Sequence, residues 1–519
     1  MSGDRELGEI PGVNERRIPW STISTERLLH LALSAACLVT LVSGMVGLTA
    51  RDPAHFGLLL FLGAVGLLGV VLGLRDPVVA CTYLLIATFF RLAIPSGTLP
   101  VDPFLLAFGG VVVATWLRMA PRWRRLSARQ IDPMVCVVIL YVSWNVLSMV
   151  LVHTYAPGAA RNPEPFSVPR FIIIGIVMPL ALFLVGRWVF TTERAIRVLL
   201  WSIVGAAAYS AAVSILQFTA PALVWPSYII SNTSWPGRAV GIFNQPVVNG
   251  LVLTVGFLVA TLIASHAAES RLLRSAALLV ACASACGVYL THTRAAWLSF
   301  ALVVALGAVT ARGYRRGYLI TLGVMVLAIA TNWTRFTSSD RSAGGVGSAN
   351  EVQDRLNTIA TSVWAFTREP LIGWGIGRFT SVNTYHHQQF SPETPWQRGF
   401  GIPSHLDALG VLVELGIVGL ALWMTVLLLI FKELLRAARH LPPAGMYGRP
   451  LALTGLLCLV AQTTTGLTVD LRFFDFPNII VMLLAGAAIG WQAAQARRVM
   501  TPANAGEPAA SLPAATVPR

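Results

Sequence analysis

The stretch PSHLDALGVLVELGIVG, residues 403–419, decides how the rest of the chain is interpreted. It begins an apolar segment directly after residues 335–404, the longest polar run in the sequence. In a membrane protein, irregular polar backbone is tolerated only where it is buried in protein or lines a water-filled cavity. The point where the polar run meets the membrane, at His405, is therefore the first place to look for a functional site.

The composition predicts an all-α polytopic membrane protein. The chain has 519 residues, of which 55% are hydrophobic and 12% are charged. A soluble core could not bury that much apolar surface. We count fourteen apolar stretches of spanning length, the first beginning near Leu28 and the last near Pro477. The first stretch is too long for a signal peptide and no small-residue cleavage site follows it, so we interpret it as a span.

The spans divide the chain into five parts. A charged cytoplasmic head (1–27) precedes eleven transmembrane helices (28–333). One large extracytoplasmic loop (334–404), which contains an amphipathic helix, comes next. Three further transmembrane helices (405–496) lead to an Ala- and Pro-rich tail (497–519), which has no apolar periodicity and is predicted to be disordered and cytoplasmic.

The net charge of +15 predicts the orientation of the chain rather than a nucleic-acid partner. Cytoplasmic loops of membrane proteins carry an excess of Lys and Arg. Eight arginines crowd two of the predicted short loops, whereas the turn at residues 95–100 has none: Arg118, Arg122, Arg124, Arg125, Arg129, Arg312, Arg315 and Arg316. This pattern predicts that both termini are cytoplasmic and that the large loop is extracytoplasmic.

The cysteines argue against a disulfide framework or a thiolate metal site. All six lie inside apolar runs, and none lies in the large loop: Cys37, Cys81, Cys136, Cys282, Cys286 and Cys458. Structural disulfides and thiolate metal sites need paired, accessible cysteines at suitable spacing. We therefore predict no disulfide framework and no metal site built on thiolates, and we expect no cofactor.

Two short polar segments interrupt the apolar runs on the predicted outer side. In GRAVGIFNQPVVNG (237–250), glycine and proline permit irregular backbone, while Asn244 and Asn249 offer amide groups at membrane depth. Such groups predict a polar cavity, and Arg238 leads into it. In THTRAAW (291–297), the break is so short that Arg294 stays at the bilayer edge. An arginine there either extends to the interface or binds an anionic partner.

The large loop contains two patterned segments. Residues 354–366, DRLNTIATSVWAF, have the i, i+3, i+4 apolar spacing of an amphipathic helix that could lie on the membrane surface. The segment REPLIGWGIGRF (368–379) requires tight turns, because it holds three glycines and a proline. The following residues 385–403 are rich in aromatic, His and amide side chains, which suit either a carbohydrate-binding face or an ordinary solvated loop.

At the start of residues 403–419, Ser404 is a good N-cap and Asp407 would stand at the third helical position, so the helix is predicted to begin at His405. The positive end of the helix dipole would favour a neutral imidazole that can accept a proton. Glu414 is rotated to the opposite side of the helix from His405. It is therefore predicted to be a buried structural partner for a polar group in a neighbouring span.

Four of these segments resemble the signature of the O-antigen ligase and O-antigen polymerase superfamily. SHLDALGVLVELGIVGLALW (404–423) is similar to the family helix in which a His-Asn or similar pair precedes a Leu-rich run containing Glu-Leu-Gly. REPLIGWGIGRF, RAVGIFNQPVVNG and HTRAAW resemble three family segments that precede that helix. The matches occur in the family order over residues 237–420. The chain departs from the family pattern at Leu406, where Asn is frequent, and at Gln245, which interrupts an Asn-Pro pair.

The resemblance implies a metal-independent, inverting glycosyltransferase with a type C-like membrane fold, acting at the outer face of the bacterial cytoplasmic membrane. Its partners would be a glycan donor on a polyprenyl diphosphate such as undecaprenyl diphosphate, a glycan or lipid acceptor, and membrane lipids. His405 is expected to be the general base. Arginine binds phosphate oxygens bidentately and stays charged, so the diphosphate is expected to contact Arg294, Arg238 and Arg472. Four loop residues are expected to bind glycan: Arg378, His386, His387 and Trp396.

Two other functions fit parts of the sequence. A metal-dependent type C glycosyltransferase that uses a polyprenyl monophosphate sugar would place an acidic residue in the first outer loop, where Asp52 is found. A transporter or flippase for lipid-linked glycans would use polar groups inside the membrane, such as Asn145, Gln217 and Gln462. A transporter requires no general base, so His405 separates it from the transferase, whereas loss of activity in EDTA would favour the metal-dependent enzyme.

Overall fold

The computed structural model describes residue 73 and residues 76–93, 102–123, 132–158, 166–231, 234–338, 350–397 and 400–500. Every regular element in these ranges is helical. The head, the two predicted spans near Leu28 and Phe56, and residues 501–519 of the tail lie outside the described residues, as does Asp52.

The helices of the described ranges are named here in chain order. They are α1 (Pro77–Phe89), α2 (Pro103–Trp123), α3 (Pro133–Val150), α4 (Val168–Val189), α5 (Glu193–Thr219), α6 (Tyr228–Ser231), α7 (Pro246–Ala264), α8 (Arg271–Leu290), α9 (Arg294–Thr310), α10 (Arg316–Thr331), α11 (Trp333–Thr337), α12 (Asn350–Arg368), α13 (Phe379–Tyr385), α14 (Asp407–His440), α15 (Arg449–Gly466) and α16 (Asp475–Met500).

The helices make this a multi-pass membrane protein. In the described part of the chain, seven are long and apolar enough to cross a membrane: α3, α4, α5, α7, α8, α14 and α16. Four shorter apolar helices, α1, α2, α9 and α10, and the 18-residue α15 accompany them. Each span predicted from Val78 onward thus coincides with a described helix. The interpretation of residues 354–366 as a helix also agrees with α12.

Local sequence explains where several of these helices begin. An Asp-Pro pair starts both α1 and α3, with the Asp side chain accepting a hydrogen bond from a backbone N–H of the first turn and Pro occupying the first helical position. Thr192 and Ser270 cap α5 and α8 in the same way. These residues satisfy N–H groups that would otherwise be unpaired at a helix start.

The centre of the bundle is α7, which is buried along almost its whole length and contacts α5, α8, α9 and α15. A second tight contact joins α4 to α16. There, a Cβ added at Gly486 or Gly490 would collide with the backbone carbonyl of Phe183 or Arg187 on α4. Small residues four positions apart allow two membrane helices to approach this closely. The result is a rigid pair of helices beside the candidate site.

Helix α4 loses its regular α-helical hydrogen bonding at Ile173–Val177, which forms a π-helical turn. Gly175 in this turn lies against the backbone of Arg472, and a Cβ there would collide with the Arg472 carbonyl. Such π-turns frequently mark functional sites. This one brings α4 into contact with the segment between α15 and α16.

Candidate functional site

Helix α14 is broken at Gly416, one residue after the Glu-Leu pair of the quoted stretch. Gly416 has φ +66°, a left-handed conformation that glycine adopts without strain. The break releases backbone groups that a continuous helix would pair. Every residue type with a side chain is disfavoured here, because a Cβ would also collide with Leu371.

The glycine-rich loop before α13 satisfies the released groups. The N–H of Trp374 donates to the carbonyl of Val413 at 2.9 Å, and the N–H of Gly375 donates to that of Glu414 at 2.9 Å. The N–H of Ile417 in turn donates to the carbonyl of Pro370 at 2.8 Å. Unpaired backbone groups are costly inside a membrane, so this loop and the broken helix form one unit.

The predicted start of α14 is wrong by two residues. The helix begins at Asp407, and Ser404 does not cap it. The Ser404 hydroxyl instead contacts the Leu406 carbonyl at 2.9 Å and the Asp470 carboxylate at 3.3 Å. The Asp407 carboxylate accepts a hydrogen bond from the N–H of Leu471 at 2.6 Å. Long-range contacts with the α15–α16 segment have therefore replaced the local capping box.

His405 lies between these two anchors, in the chain just before α14. Its backbone has φ +56°, a left-handed conformation that is uncommon for a residue with a side chain. Its side chain is half-buried and is not enclosed in the packed interior. The imidazole is thus at a boundary between protein and accessible space, where a base could meet a substrate.

Arg472 forms the centre of a buried charge cluster. Its Nη1 donates to Glu414 at 2.7 Å, while its Nε and Nη2 donate to the two carboxylate oxygens of Asp470 at 2.9 and 2.6 Å. All three residues are at most 5% exposed. Glu414 also accepts a hydrogen bond from the N–H of Phe379 at 3.1 Å. Because two carboxylates already neutralise the guanidinium, the arrangement favours a structural role over the diphosphate binding that the sequence predicted for Arg472.

The segment 237–250 folds around Asn249, which is completely buried on α7. Its amide donates to the Ser214 hydroxyl at 2.9 Å and to the Ala239 carbonyl at 3.2 Å, and its carbonyl accepts from Ser210 at 3.1 Å. Asn244 ends a 3₁₀ turn in a left-handed conformation, φ +55°. Both asparagines therefore shape the backbone that carries Arg238.

His292 attaches the second polar segment to the first. Its Nδ1–H donates to the Gly237 carbonyl at 2.7 Å, and its backbone has φ +44°. Burial lowers the pKa of His292 below its ordinary value, and the Arg238 guanidinium acts in the same direction. Arg238 also lies 5.3 Å from the ring of Trp235 and 3.7 Å from Glu351 of α12. Arg294 is half-buried two residues after His292, at the first position of α9.

Helix α12 of the large loop turns its polar side inward. Asp354, Asn357, Thr361 and the other polar residues of one stripe are completely buried, whereas Val363 on the opposite side is 56% exposed. The buried stripe binds the backbone of residues 388–397, since Asn357 donates to the Thr394 carbonyl and Asp354 accepts from the N–H of Gln397. The exposed apolar side is the one predicted to lie on a membrane surface.

The residues predicted to bind glycan divide into two groups. Arg378 is 9% exposed and donates to the carbonyls of Tyr155 and Ile376 at 2.7 and 3.1 Å, so it braces the loop. Burial lowers its pKa from the ordinary value. His386 stacks on Trp364 at 4.5 Å between ring centroids and is also paired with Tyr155.

The second group forms an aromatic patch on the outer surface of the loop. His387 is exposed and stacks on Phe400 at 3.8 Å, and Trp396 contacts the same ring edge-on. Phe400 itself is 50% exposed. Exposed rings beside hydrogen-bonding groups offer the apolar faces and polar edges that a sugar would contact.

The segment 465–470, at the end of α15, contacts α9, α12 and Ser404. Thr465 donates to Ser299 of α9, and Ser299 donates to the Ala461 carbonyl, so the Arg294 end of α9 lies beside the end of α15. Arg355 of α12 donates to the Thr468 carbonyl at 3.4 Å, one helical turn from Glu351 and its contact with Arg238. Asp470 contacts Ser404. Contacts from α9, from α12 and from the residue before His405 therefore converge on one short segment.

A cavity of about 90 Å³ lies next to this segment, because Gly466 and Leu467 line it. It is lined by residues of α3, α4, α14, α15 and α16, including Asp407, Gln462, Arg472 and Asn478. Gln462 donates to Asn478 at 2.6 Å, while its buried carbonyl oxygen accepts no hydrogen bond within the described residues. In the same ranges, no group of three or more His, Cys, Asp or Glu side chains is suited to hold a metal ion.

The three polar segments share a backbone conformation that the sequence does not reveal. In the described ranges, three residues other than glycine have left-handed backbone, namely Asn244, His292 and His405. Each lies in a different one of the quoted polar segments. Strained conformations of this kind persist only where the surroundings enforce them, and they cluster at functional sites. The sequence named the segments but gave no indication of this conformation.

The fold and this site together define a multi-pass helical membrane protein whose polar segments meet beside a broken helix. Comparison with protein families identifies it further. Residues 276–424 match the family model described as O-antigen ligase, and this match includes Arg294, the glycine-rich loop, His405 and the broken helix. Residues 276–424 are thus similar to the O-antigen ligase family, and the resemblance to the O-antigen ligase and polymerase superfamily is confirmed over that part of the chain. No curated protein matches the chain in a search by sequence. The family is in general one of glycosyl-transferring enzymes that act on lipid-linked glycans.

Proposed function

We propose that this protein is an inverting, metal-independent glycosyltransferase that moves a glycan from a polyprenyl diphosphate to a glycan or lipid acceptor. The observation that carries the proposal is His405, half-buried and held in a left-handed conformation beside the broken helix of the O-antigen ligase domain. Imidazole is the side chain whose ordinary pKa suits proton transfer near neutral pH. The arginine distribution supports a site at the outer face of the cytoplasmic membrane, with both termini inside.

In the proposed reaction, an acceptor hydroxyl attacks the anomeric carbon of the donor sugar. A new C–O bond forms at that carbon while its bond to the diphosphate oxygen breaks, and the electron pair leaves on the diphosphate. The proton of the hydroxyl passes to the unprotonated ring nitrogen of His405, which acts as general base. The released polyprenyl diphosphate carries the charge that formed on its terminal oxygen.

Arg238 and Arg294 are proposed to bind the diphosphate. Arg294 begins α9 and Arg238 faces Glu351 of α12, and both of these helices contact the end of α15 and the segment that follows it. The Glu351 carboxylate, an anion, lies 3.7 Å from Arg238. Guanidinium groups placed where charge develops stabilise the departing anion. The aromatic patch of His387, Trp396 and Phe400 is proposed to contact the acceptor or donor glycan, and His386 and Arg378 to support that surface.

The test is transfer by purified protein supplied with a polyprenyl-diphosphate oligosaccharide, with and without a second acceptor. His405→Ala should lower transfer at least a hundredfold, since general bases contribute about 10²–10⁴ in rate. His440→Ala is the matched control, because His440 lies exposed at the far end of the same helix. His405→Gly should regain transfer when free imidazole is added. Near-normal product from His405→Ala would remove the proposed base.

The same assay separates the rival functions. Loss of transfer in EDTA would favour a metal-dependent transferase. Movement of labelled lipid across vesicles, undiminished in His405→Ala and without a new glycan bond, would favour a transporter. Lengthening of the donor in the absence of any second acceptor would identify a polymerase, whereas transfer only to the second acceptor would identify a ligase.

A further inference from the structure

We propose that Ser404 and Asp470 are positioning residues that hold the His405 imidazole in place for proton transfer. The inference rests on the proposed role of His405 as the base. It assigns a function to the α15–α16 segment, which lies outside the residues matched by the O-antigen ligase family.

The backbone of His405 needs an external restraint. A residue with a Cβ and φ near +56° is in a sparsely populated region and relaxes unless its neighbours prevent it. The side chain of His405 leaves this backbone in a direction that an extended or right-handed conformation would not provide. Whatever fixes residues 404–407 therefore also fixes the direction of the imidazole.

The α15–α16 segment holds the chain on both sides of His405. Before it, Ser404 is completely buried and its hydroxyl lies 3.3 Å from the Asp470 carboxylate and 2.9 Å from the Leu406 carbonyl, so it also spans His405 locally. After it, Asp407 accepts the N–H of Leu471 at 2.6 Å. Two consecutive residues of one segment, Asp470 and Leu471, thus restrain the chain one residue before and two residues after the histidine.

Asp470 is a rigid anchor because Arg472 holds both of its oxygens. The guanidinium makes a two-point contact with the carboxylate, and the N–H of Arg472 donates to the same group at 3.1 Å. The third contact of Arg472, with Glu414, ties the anchor to α14 just before its break. Gly410 completes the arrangement, since a Cβ there would lie 2.8 Å from the Ser404 hydroxyl and would also collide with Arg472.

Such precision matters for a general base. The accepting nitrogen has to lie within about 2.6–3.2 Å of the hydroxyl in the reactive complex. A displacement of about 1 Å can cost on the order of a hundredfold in rate. Loss of the Ser404 contact should therefore act on the chemical step and leave donor binding intact.

The direct test is Ser404→Ala, which removes only the hydroxyl and leaves the Arg472 cluster complete. We expect kcat to fall by about 10- to 100-fold while the KM for the donor and the melting temperature stay unchanged. Ser202→Ala is the matched control, because Ser202 donates to a carbonyl within α5, away from this segment, and should leave kcat unchanged. A kcat within twofold of wild type in Ser404→Ala would overturn the proposal.

A second test shows whether Ser404 acts through His405. In His405→Gly supplied with imidazole, the base is no longer attached to the chain, so adding Ser404→Ala should leave the rescued rate unchanged. If imidazole fails to rescue, the residual rates of His405→Gly with and without Ser404→Ala are compared, and equality is again expected. An equal fractional loss in both backgrounds would overturn the positioning role. Full activity of His405→Gly without imidazole would instead reject the proposed base.

Discussion

Arg472 and Arg238 are both predicted from the sequence to bind the diphosphate, but their electrostatic environments differ. Arg472 is 5% exposed, and its Nε, Nη1 and Nη2 all donate to carboxylates within 2.9 Å. Arg238 lies 3.7 Å from the Glu351 carboxylate and over the ring of Trp235. A guanidinium enclosed by two buried carboxylates is expected to stabilise structure, whereas one beside a partly exposed carboxylate and an aromatic ring is expected to contact the diphosphate. The following predictions test this difference.

The largest effect is expected from Arg472→Leu. Removal of the cation leaves Glu414 and Asp470 buried together without compensation, and breaking a buried pair costs about 3–5 kcal/mol. The variant should show a large fall in melting temperature in detergent, or fail to accumulate in membranes. Arg238→Met is the matched control and should melt close to wild type. Equal melting temperatures for the two variants would contradict the assignment.

The next effect concerns binding of the donor. Arg238→Met and Arg294→Met should each raise the KM for a polyprenyl-diphosphate donor about 10- to 100-fold, because a hydrogen bond to a charged group contributes about 1.5–3 kcal/mol. Their melting temperatures should remain near that of wild type. Direct binding of polyprenyl diphosphate, measured without turnover, provides the check. An unchanged KM together with a lower melting temperature would make these residues structural, like Arg472.

Gly416→Ala tests how far the Arg472 cluster depends on the backbone break in α14. The substitution forces a Cβ into a left-handed position and into the carbonyl of Leu371, which is expected to cost about 1–3 kcal/mol. Glu414 should shift relative to Arg472, so stability and kcat should both fall while the KM for the donor changes little. Gly445→Ala tests strain alone, because Gly445 also has positive φ but has open space around its Cβ position. A smaller loss at Gly416 than at Gly445 would contradict the close packing of the break.

The smallest effect is a pH dependence on the Arg238 side. The folded-state pKa of His292 is lowered, chiefly by burial, so the folded protein keeps this ring neutral where the unfolded chain takes up a proton. Its contribution to stability is therefore present above the ordinary pKa of about 6.5 and is lost as the pH falls below it. Melting temperatures should fall less steeply with acid in His292→Asn, which tolerates the left-handed backbone. Parallel curves for both proteins would show that His292 does not contribute.

Much of the fold was predictable because apolar length alone signals a membrane helix. The spans from Val78 onward and the loop helix α12 all coincide with helices in the structure. The break at Gly416 was not predictable, since Glu-Leu-Gly continues an apolar run. The glycine-rich partner that makes the break possible lies about forty residues earlier, and no local pattern joins the two.

The site was predictable in its segments but not in its pairings. Polar residues at membrane depth drew attention to residues 237–250 and 291–297, which the His292 side chain joins through its hydrogen bond to the Gly237 carbonyl. The Ser404 cap was wrong, because the local capping rule competes with an aspartate 66 residues away. Arg472 was predicted to bind the diphosphate because its ion pair with Glu414, which belongs to a distant helix, cannot be seen in the local sequence.

The inward polar stripe of α12 has a mechanical consequence. Because Asp354, Asn357 and Thr361 are hydrogen-bonded to the backbone of residues 388–397, α12 and the aromatic patch should move as one rigid unit. Glu351, which faces Arg238, belongs to that unit. Any movement of the unit would change the surroundings of Arg238 and shift the exposed rings at the same time, so these two regions of the outer surface are mechanically coupled.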